Sequence, residues 1–279
     1  MANELKEMHL AFIGCGVMGE SMVAGLLRKD LVDPKNIAAS HPRGSRRKEL
    51  EKHGIAVFES NADAAKTVIG QENSAVLICV KPQRLASVLS DLTGVLHLDQ
   101  LVLSIVAGAR IEHLADELGT AKIVRAMPNT PSQIGAGITA WTCTNAVDET
   151  ERGHVREMLS ALGKELFVET ENMIDMATSL SATGPTYIFM VMEALTDAGV
   201  HLGFSRDMAK ELVQETMLGS VKFAMESHKH PAELRNMVTS PGGTSAEAIY
   251  QMEKGSLRTV LSKAVYAAYK RAGELGKKS

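Results

Sequence analysis

The chain has 279 residues, 45% of them hydrophobic and 23% charged, which is enough for two globular domains with buried cores. Its formal net charge of −3 at pH 7 gives no electrostatic reason to expect nucleic-acid binding, which usually requires a basic face. The sequence shows no basic leader, no Cys-x-x-Cys pair and no apolar run long enough for a membrane span. We therefore expect a soluble, cytoplasmic protein with reduced thiols.

Short apolar runs alternate with helical patterns up to about residue 170. The runs typical of strands buried on both faces lie at 8–14, 36–40, 74–80, 100–108 and 121–127. A further strand at 137–142 precedes a charged helix at 148–161 and the segment 164–169. This alternation predicts right-handed βαβ units and a mostly parallel sheet, that is, an α/β Rossmann-type domain over residues 1–170.

The segment FIGCGVMGESM has the glycine spacing of a dinucleotide-binding loop, between a predicted strand and a predicted helix. In such loops the first glycine permits a tight turn, the second lets a pyrophosphate approach the backbone, and the third lets the helix pack on the strand. Glycine-rich turns are common, so the strand–loop–helix context carries the prediction. The expected cofactor contacts are Ile13, Gly14, Cys15, Gly16, Val17, Met18 and Gly19.

The end of the second predicted strand indicates which dinucleotide binds. NAD-binding proteins usually place an acid there, which accepts hydrogen bonds from the ribose 2′-hydroxyl. This chain has Ser40 instead, followed by Arg43, Arg46 and Arg47. Because guanidinium groups bind phosphate well, we expect NADPH to be preferred over NADH, with contacts from Ser40 and Arg43. The alternative is that the arginines form only a solvated helical turn.

Further cofactor contacts are expected where later strands end, because ligands of an open parallel sheet bind beyond the carboxyl ends of its strands. The motifs CVKP, SIVAGA and MPNTP each follow a predicted strand. Each motif alone is weak evidence for cofactor binding, but their shared position at strand ends makes the combined evidence stronger. Together with Asn61, the residues concerned are Cys79, Val80, Lys81, Pro82, Ala107, Gly108 and Asn129.

From residue 171 onward long amphipathic helices replace the strand patterns, which predicts an all-α domain over residues 171–279. Several helices are apolar over more than one stripe, so we expect burial against a second subunit, although the faces could also cover one another. No cysteine or carboxylate cluster accompanies His228 and His230, and we predict no metal site.

Within this helical region, the segment TSPGGTSAEAIY (239–250) has the composition of an anion site at the start of a helix. Thr244 and Glu247 have the spacing of a capping box, which predicts that the helix begins here. No Gly-Lys-Ser/Thr follows, as a nucleotide P-loop would require. A small carboxylate would suit the free amides and the hydroxyls of Thr244 and Ser245, and the alternative is an ordinary capped helix.

These motifs together carry a resemblance to a known family. The segments FIGCGVMGESM, CVKP, MPNTP, SATGPTYIF and HPAELRNMVTSPGGTSAEAI resemble those of pyrroline-5-carboxylate reductases, in the expected order from about Met8 to Leu275. The resemblance implies NADPH- or NADH-dependent reduction of the cyclic imine 1-pyrroline-5-carboxylate to L-proline, the last step of proline synthesis. It also implies a homodimer with interlocked helical domains, and larger oligomers of such dimers are compatible with it.

The resemblance further implies that the anion at the TSPGGTS segment is the substrate carboxylate, in a pocket that faces the cofactor of the partner chain. Ser245 would bond the imine nitrogen, with Thr244 beside it as a second catalytic residue. The remaining substrate contacts that it implies are Val238, Ser240, Gly242, Gly243 and, at the domain junction, Glu171.

Departures from the family pattern leave alternatives open. Thr183 stands in SATGP where serine and an extra glycine are usual, Ser245 replaces a threonine, and His228 stands where some members carry an acid. The first two changes keep a hydroxyl, so we expect an active enzyme, while a weakly active or non-catalytic regulatory paralogue stays open. A β-hydroxyacid dehydrogenase is disfavoured, because residues 171–209 contain no lysine for its catalytic role.

Overall fold

The computed structural model describes residues 5–276 of the chain. One sheet has the strand order β3-β2-β1-β4-β5-β6-β7-β8. Its strands are β1 His9–Ile13, β2 Ile37–Ser40, β3 Ala56–Phe58, β4 Ser74–Ile78, β5 Leu101–Ser104, β6 Ile123–Met127, β7 Gly137–Cys143 and β8 Gly163–Phe167. The strands β1 to β6 are parallel, β7 runs antiparallel to β6, and β8 pairs in parallel with β7. The predicted Rossmann-type fold is confirmed.

Helices cover both faces of the sheet, because its strands are apolar on both sides. In β1, Leu10 and Phe12 face one core cluster while Ala11 and Ile13 face the other, and all four are fully buried. The helices that accompany the sheet are α1 Val17–Arg28, α2 Gly44–Glu51, α3 Asn61–Lys66, α4 Leu85–Leu92, α5 Ile111–Leu118, α6 Glu149–Ser160 and α7 Glu171–Ala177.

The rest of the chain is helical, as predicted. A π-helical turn at Thr178–Ala182 leads into this region. The helices that follow are α8 Gly184–His201, α9 Arg206–Ser227, α10 Pro231–Met237, α11 Thr244–Lys254 and α12 Leu257–Leu275. None of the helices in residues 5–276 combines the length and apolar character that a membrane crossing requires, and the predicted cytoplasmic location stays a prediction.

The compact units of the fold divide the chain after Thr183, and the domain boundary predicted at residue 170 stays a prediction. Within the described residues, one unit comprises 5–183 together with 268–276, and the other is Gly184–Ala267. The physical reason is that α7 is bound to the sheet by ion pairs from Arg125, which is buried on β6. Helix α7 and the end of α12 therefore belong to the α/β unit.

The helical unit has almost no core of its own. Within 184–267, all of which the structure describes, Ala209 is the only buried residue. Large apolar side chains are exposed along its helices, among them Phe189, Met190, Val221 and Met225, which are 57 to 69% exposed. Folding normally removes such surface from water, and in the single chain this surface stays exposed.

Candidate functional site

A cavity of about 700 Å³ lies beyond the carboxyl ends of β1, β2 and β4. This is the point where the strand order changes direction, at which open α/β sheets bind their ligands. Its lining includes these predicted cofactor residues: Gly14, Gly16, Arg43, Asn61, Cys79, Val80 and Lys81. It also includes residues that the sequence did not single out: His41, Pro42, Glu59, Ser60, Ala62, Arg84, Ser87, Val88 and Asp91.

Each glycine of the loop has a distinct physical role. Gly14 has a φ of +70°, and a Cβ there would overlap the Cγ1 atom of Val80. A Cβ on Gly19 would lie 3.2 Å from both Cys15 Sγ and Cys79 Cβ, so this glycine permits close packing of α1 on the sheet. A Cβ on Gly16 would have no neighbour nearer than 3.9 Å, which leaves its space free for a ligand.

The start of α1 presents unbonded amide groups beside this loop. Helix α1 begins at Val17 with Gly16 as its N-cap, and no side chain caps it. Among the described residues, the amides of Val17, Met18 and Gly19 have no hydrogen-bond acceptor. Free amides and the positive end of the helix dipole make this terminus suitable for a pyrophosphate.

The two other predicted loop residues, Ile13 and Cys15, are fully buried. The carbonyl of Ile13 accepts from the amide of Cys79 at 2.9 Å, which joins the loop to β4. Burial raises the pKa of the Cys15 thiol to about 12, and burial also raises that of Cys79. Both thiols are therefore neutral packing groups at neutral pH.

Ser40 is fully buried, and its hydroxyl does not line the cavity. The Ser40 Oγ accepts from the amide of Gly14 at 3.0 Å and donates to Asn61 Oδ1 at 2.7 Å. Asn61 in turn donates to Asp91 at 2.8 Å. The Ser40 hydroxyl thus fixes the glycine loop against α3, and its predicted contact with the cofactor stays a prediction.

Two of the three arginines after β2 are already paired with acids. Arg46 forms ion pairs with Glu20 and, at 2.6 Å, with Glu49. Arg47 forms an ion pair with Glu59 at 2.8 Å. These contacts hold both guanidinium groups against the protein.

Arg43 is the arginine that remains available to a ligand. Its side chain lines the cavity and has no acceptor within the described part of the chain. Its backbone amide donates to His41 Nδ1 at 3.1 Å. Burial lowers the pKa of His41 from its usual 6.5, and the nearby Arg46, Arg43 and Arg47 lower it further. His41 is therefore neutral at neutral pH and can accept this hydrogen bond.

The residues predicted after β4 and β5 occupy different surroundings. Val80 and Lys81 line the cavity, whereas Pro82 begins a 3-10 turn. Ala107 is half-buried and Gly108 is buried, and neither lines the cavity. A Cβ on Gly108 would lie 2.9 Å from backbone at the end of α12, so this glycine permits close packing there. Contacts of Ala107 and Gly108, which follow β5, with the cofactor stay a prediction.

The amide of Asn129 is used within the protein. Its Oδ1 accepts from the amide of Ile138 at 3.0 Å, and its Nδ2 donates to the carbonyl of Ser181 at 3.3 Å. Asn129 thus connects the end of β6 to β7 and to the π-helical turn. A cofactor contact would have to use its second N–H, and it stays a prediction.

Glu171 belongs to a buried charge cluster of two arginines and two acids. Arg125 donates to Glu171 at 2.8 Å and to Asp175 at 2.7 Å, and Arg110 donates to Asp175 at 3.0 Å. Glu171 also accepts from the amide of Ile111 at 2.9 Å, at the start of α5. These contacts give Glu171 a structural role that joins α7, α5 and β6, and its predicted contact with substrate stays a prediction.

The loop Ser240–Ser245, here called the substrate loop, leads into α11. Gly242 has a φ of +70°, and a Cβ on Gly243 would lie 2.5 Å from Ser240 Oγ. Among the described residues, the amides of Gly242, Thr244 and Ser245 have no acceptor, and the hydroxyls of Thr244 and Ser245 have no partner. Val238, just before this loop, is 68% exposed.

The predicted capping box at the start of α11 is wrong. Gly243 is the N-cap in an extended conformation, Thr244 is the first helical residue, and no side chain caps the helix. The physical consequence is that the first amides of α11 stay unbonded, as an anion site requires. The predicted anion site therefore has more free donors than the capping box would leave.

Glu59 is not among the residues predicted to line the cofactor site, because no sequence pattern indicates β3. That strand is a three-residue edge strand that is nowhere fully buried. A signal was present in Ser60, whose hydroxyl accepts from the amide of Asp63 and caps α3. In the described part of the chain, no group of three or more His, Cys, Asp or Glu side chains could hold a metal ion.

Comparisons with known proteins agree with these features. Residues 171–275 match the family model for pyrroline-5-carboxylate reductase dimerisation, and residues 9–108 match that for coenzyme F420-dependent NADP oxidoreductases. A pyrroline-5-carboxylate reductase of Synechocystis is 37% identical, over 97% of this chain and 99% of its own length. One of Methanosarcina acetivorans is 39% identical, over 98% of this chain and 100% of its own.

A solved structure has the same fold over nearly the whole chain. It is the pyrroline carboxylate reductase of Plasmodium falciparum with NADP bound, at a TM-score of 0.87 and 29% identity, covering 98% of this chain and 99% of its own. The alternatives of a regulatory paralogue and a β-hydroxyacid dehydrogenase are not favoured by these matches. The predicted class, an NAD(P)H-dependent oxidoreductase that acts on the CH–NH group, is confirmed, and the chain belongs to the pyrroline-5-carboxylate reductase family.

Proposed function

We propose that this protein reduces 1-pyrroline-5-carboxylate to L-proline by holding the substrate carboxylate in the substrate loop and NADPH in the cavity beyond β1, β2 and β4. The observation that carries the proposal is the uncapped start of α11. Three loop amides and two hydroxyls are unbonded there, at the positive end of a helix of 11 residues. Such an end binds a carboxylate by both hydrogen bonds and charge.

The cofactor assignment follows from the lining of the cavity. The free amides of Val17, Met18 and Gly19 would bind the pyrophosphate, and the open space beside Gly16 lets it approach. The unpaired guanidinium of Arg43 would bind the 2′-phosphate, which favours NADPH over NADH. The bound nicotinamide supplies the hydride.

For this reaction the protein has mainly to bind the substrate and the cofactor and to orient them. A protonated imine is already a good hydride acceptor, so correct placement and charge complementarity can supply most of the rate enhancement. We propose that the Ser245 hydroxyl, which has no partner within the described residues, bonds the substrate nitrogen, with Thr244 beside it. No dedicated acid–base pair is required.

Replacement of Ser245 tests this assignment. Ser245→Ala should lower kcat/KM for 1-pyrroline-5-carboxylate by roughly one to two decades, since a hydrogen bond to a charged group contributes about 1.5–3 kcal/mol. The Kd of NADPH, measured by nicotinamide fluorescence, should stay unchanged. Ser160→Ala is the matched control, because that hydroxyl lies on α6 and bonds only to the carbonyl of Glu157. Equal weakening of substrate and NADPH would contradict the assignment.

We also propose that the active form is a homodimer built through the helical unit. The support is the exposed apolar surface of residues 184–267 together with the match of residues 171–275 to a dimerisation family. Burial of that surface against a second copy supplies the core that the unit lacks.

A further inference from the structure

We propose that Glu59 is a second determinant of cofactor choice, and that its carboxylate accepts a hydrogen bond from the adenosine ribose 2′-hydroxyl of NADH. The inference rests on the proposed function only in that a nicotinamide dinucleotide occupies the cavity. Arg43 and Glu59 would then serve the two cofactors separately, the arginine for the 2′-phosphate of NADPH and the acid for the 2′-hydroxyl of NADH.

The register of the sheet places Glu59 level with the end of β2. Ser40 on β2 pairs with Phe58 on β3, so the residues that follow, His41 and Glu59, stand side by side. The amide of His41 donates to the carbonyl of Phe58 at 3.0 Å, which continues the pairing to this point. An acid at the end of β2 is the group that binds the ribose in NAD-dependent Rossmann folds. In this chain the corresponding acid is Glu59, which follows the neighbouring strand β3 instead of β2.

A single guanidinium group fixes the Glu59 carboxylate beside the turn after β2. Arg47 Nη1 donates to the carbonyls of His41 and Pro42 at 3.0 and 2.9 Å, while its Nη2 donates to Glu59 Oε2 at 2.8 Å. The same guanidinium group therefore bonds both the Glu59 carboxylate and the backbone of that turn, which places the two close together.

One oxygen of this carboxylate is available to a ligand. Glu59 lines the cavity, and its side chain is 74% exposed. Within residues 5–276, Oε1 of Glu59 has no hydrogen-bond donor. A ribose hydroxyl can donate to this oxygen, whereas a 2′-phosphate near it would be repelled by the negative charge.

The charged side chains of the cavity therefore have opposite effects on the binding of a 2′-phosphate. Arg43 attracts a phosphate at the same end of the cavity where Glu59 disfavours one, and Arg47 partly neutralises the acid. The presence of Glu59 predicts that both cofactors bind and that each depends on a different side chain.

The test compares cofactor binding to the full-length protein and to Glu59→Ala, with no substrate present. The Kd of NADH should rise by about tenfold or more, the value for loss of a hydrogen bond to a charged group. The Kd of NADPH should stay unchanged or fall. For an NADH analogue that lacks the adenosine 2′-hydroxyl, wild type and variant should bind equally. An unchanged Kd for NADH, or an equal loss for the analogue, would overturn the proposal.

Two further variants separate the acid from the arginine that it holds. In an Arg47→Ala background, Glu59→Ala should still weaken NADH, because the acid itself contacts the ribose; disappearance of the effect would mean that Glu59 acts only through Arg47 and would overturn the proposal. Glu49→Gln is the matched control. That acid holds Arg46 on α2 but does not line the cavity, so neither Kd should change.

The binding assay also distinguishes this proposal from the proposed function. If NADH and NADPH respond to Glu59→Ala as expected but 1-pyrroline-5-carboxylate is not reduced, the inference stands and the proposed function fails. If the imine is reduced and neither Kd responds, the inference fails alone.

Discussion

At the scale of single residues, Gly14 and Gly16 belong to the same motif but are required for different reasons. Gly14→Ala places a side chain at a φ of +70° and against Val80. A left-handed conformation costs an alanine about 1–2 kcal/mol even before this overlap, so the free energy of unfolding should fall. Gly16 is extended, and a Cβ there contacts nothing within 3.9 Å.

Gly16→Ala should therefore leave the free protein as stable as wild type and weaken only cofactor binding. We expect the Kd of NADPH to rise by roughly tenfold or more, equivalent to about 1.4 kcal/mol, because the methyl group occupies the space of the pyrophosphate. Urea unfolding without cofactor and fluorescence titration measure the two effects separately. A Gly16→Ala protein that unfolds as easily as Gly14→Ala, yet binds NADPH normally, would contradict this division of roles.

The residues around the end of β2 show where prediction from sequence stops. The sequence places Ser40 at the end of β2 and three arginines after it, and the fold confirms those positions. It does not reveal that Ser40 is buried or that Arg46 and Arg47 are paired with acids. Glu49, a partner of Arg46, lies on the same helix, but Glu20 lies on α1 and Glu59 after β3, and long-range pairing of this kind has no local sequence signal.

At the scale of elements, the buried charge cluster determines where α7 lies. Arg125 is 1% exposed and bonds to two acids of α7, while its Nε has no hydrogen-bond partner in the described residues. Arg125→Met should lower the free energy of unfolding by about 3 kcal/mol, because loss of one partner leaves buried carboxylates. Arg110 remains to pair with both acids, which limits the loss.

Urea denaturation of the variant and of a matched control measures this loss. Arg258→Met removes an arginine from an exposed pair with Glu253, and such pairs contribute about 0–1 kcal/mol. If the two variants lose the same stability, the cluster does not anchor α7.

The helix termini show both a success and a failure of local prediction. Asp148 and Glu151 form a capping box at the start of α6, the helix that the sequence predicts at 148–161. Thr244 and Glu247 have a compatible spacing, but the turn at Gly242 makes Gly243 the N-cap and moves Thr244 inside the helix. The left-handed conformation of a preceding glycine shifts the start of the helix, and spacing alone does not show such a shift.

At the scale of the whole molecule, the exposed apolar surface of residues 184–267 predicts that the chain does not exist as a stable monomer. Sedimentation at micromolar concentration should show a species of at least twice the chain mass of 30.0 kDa. Burial of apolar side chains against the partner supplies the driving force. A stable species at 30.0 kDa would contradict the proposed homodimer.

The division into a Rossmann-type part and a helical part was predictable, because buried parallel strands and amphipathic helices differ in period. The position after Thr183 at which the compact units divide was not predictable from the sequence. It depends on Arg125 of β6, whose partners lie 46 and 50 residues later in the chain. Ion pairs over such separations leave no trace in hydrophobic periodicity.

We propose that the substrate loop recognises the carboxylate of a cyclic imine that NADPH reduces. The most direct test compares 1-pyrroline-5-carboxylate with 1-pyrroline, the same ring without the carboxylate, by following NADPH oxidation and the amine formed. We expect L-proline to be produced, and we expect kcat/KM for 1-pyrroline to be lower by about two decades or more, because several hydrogen bonds to a charged group are lost. Equal kcat/KM for the two imines, or no oxidation of NADPH with either, would contradict it.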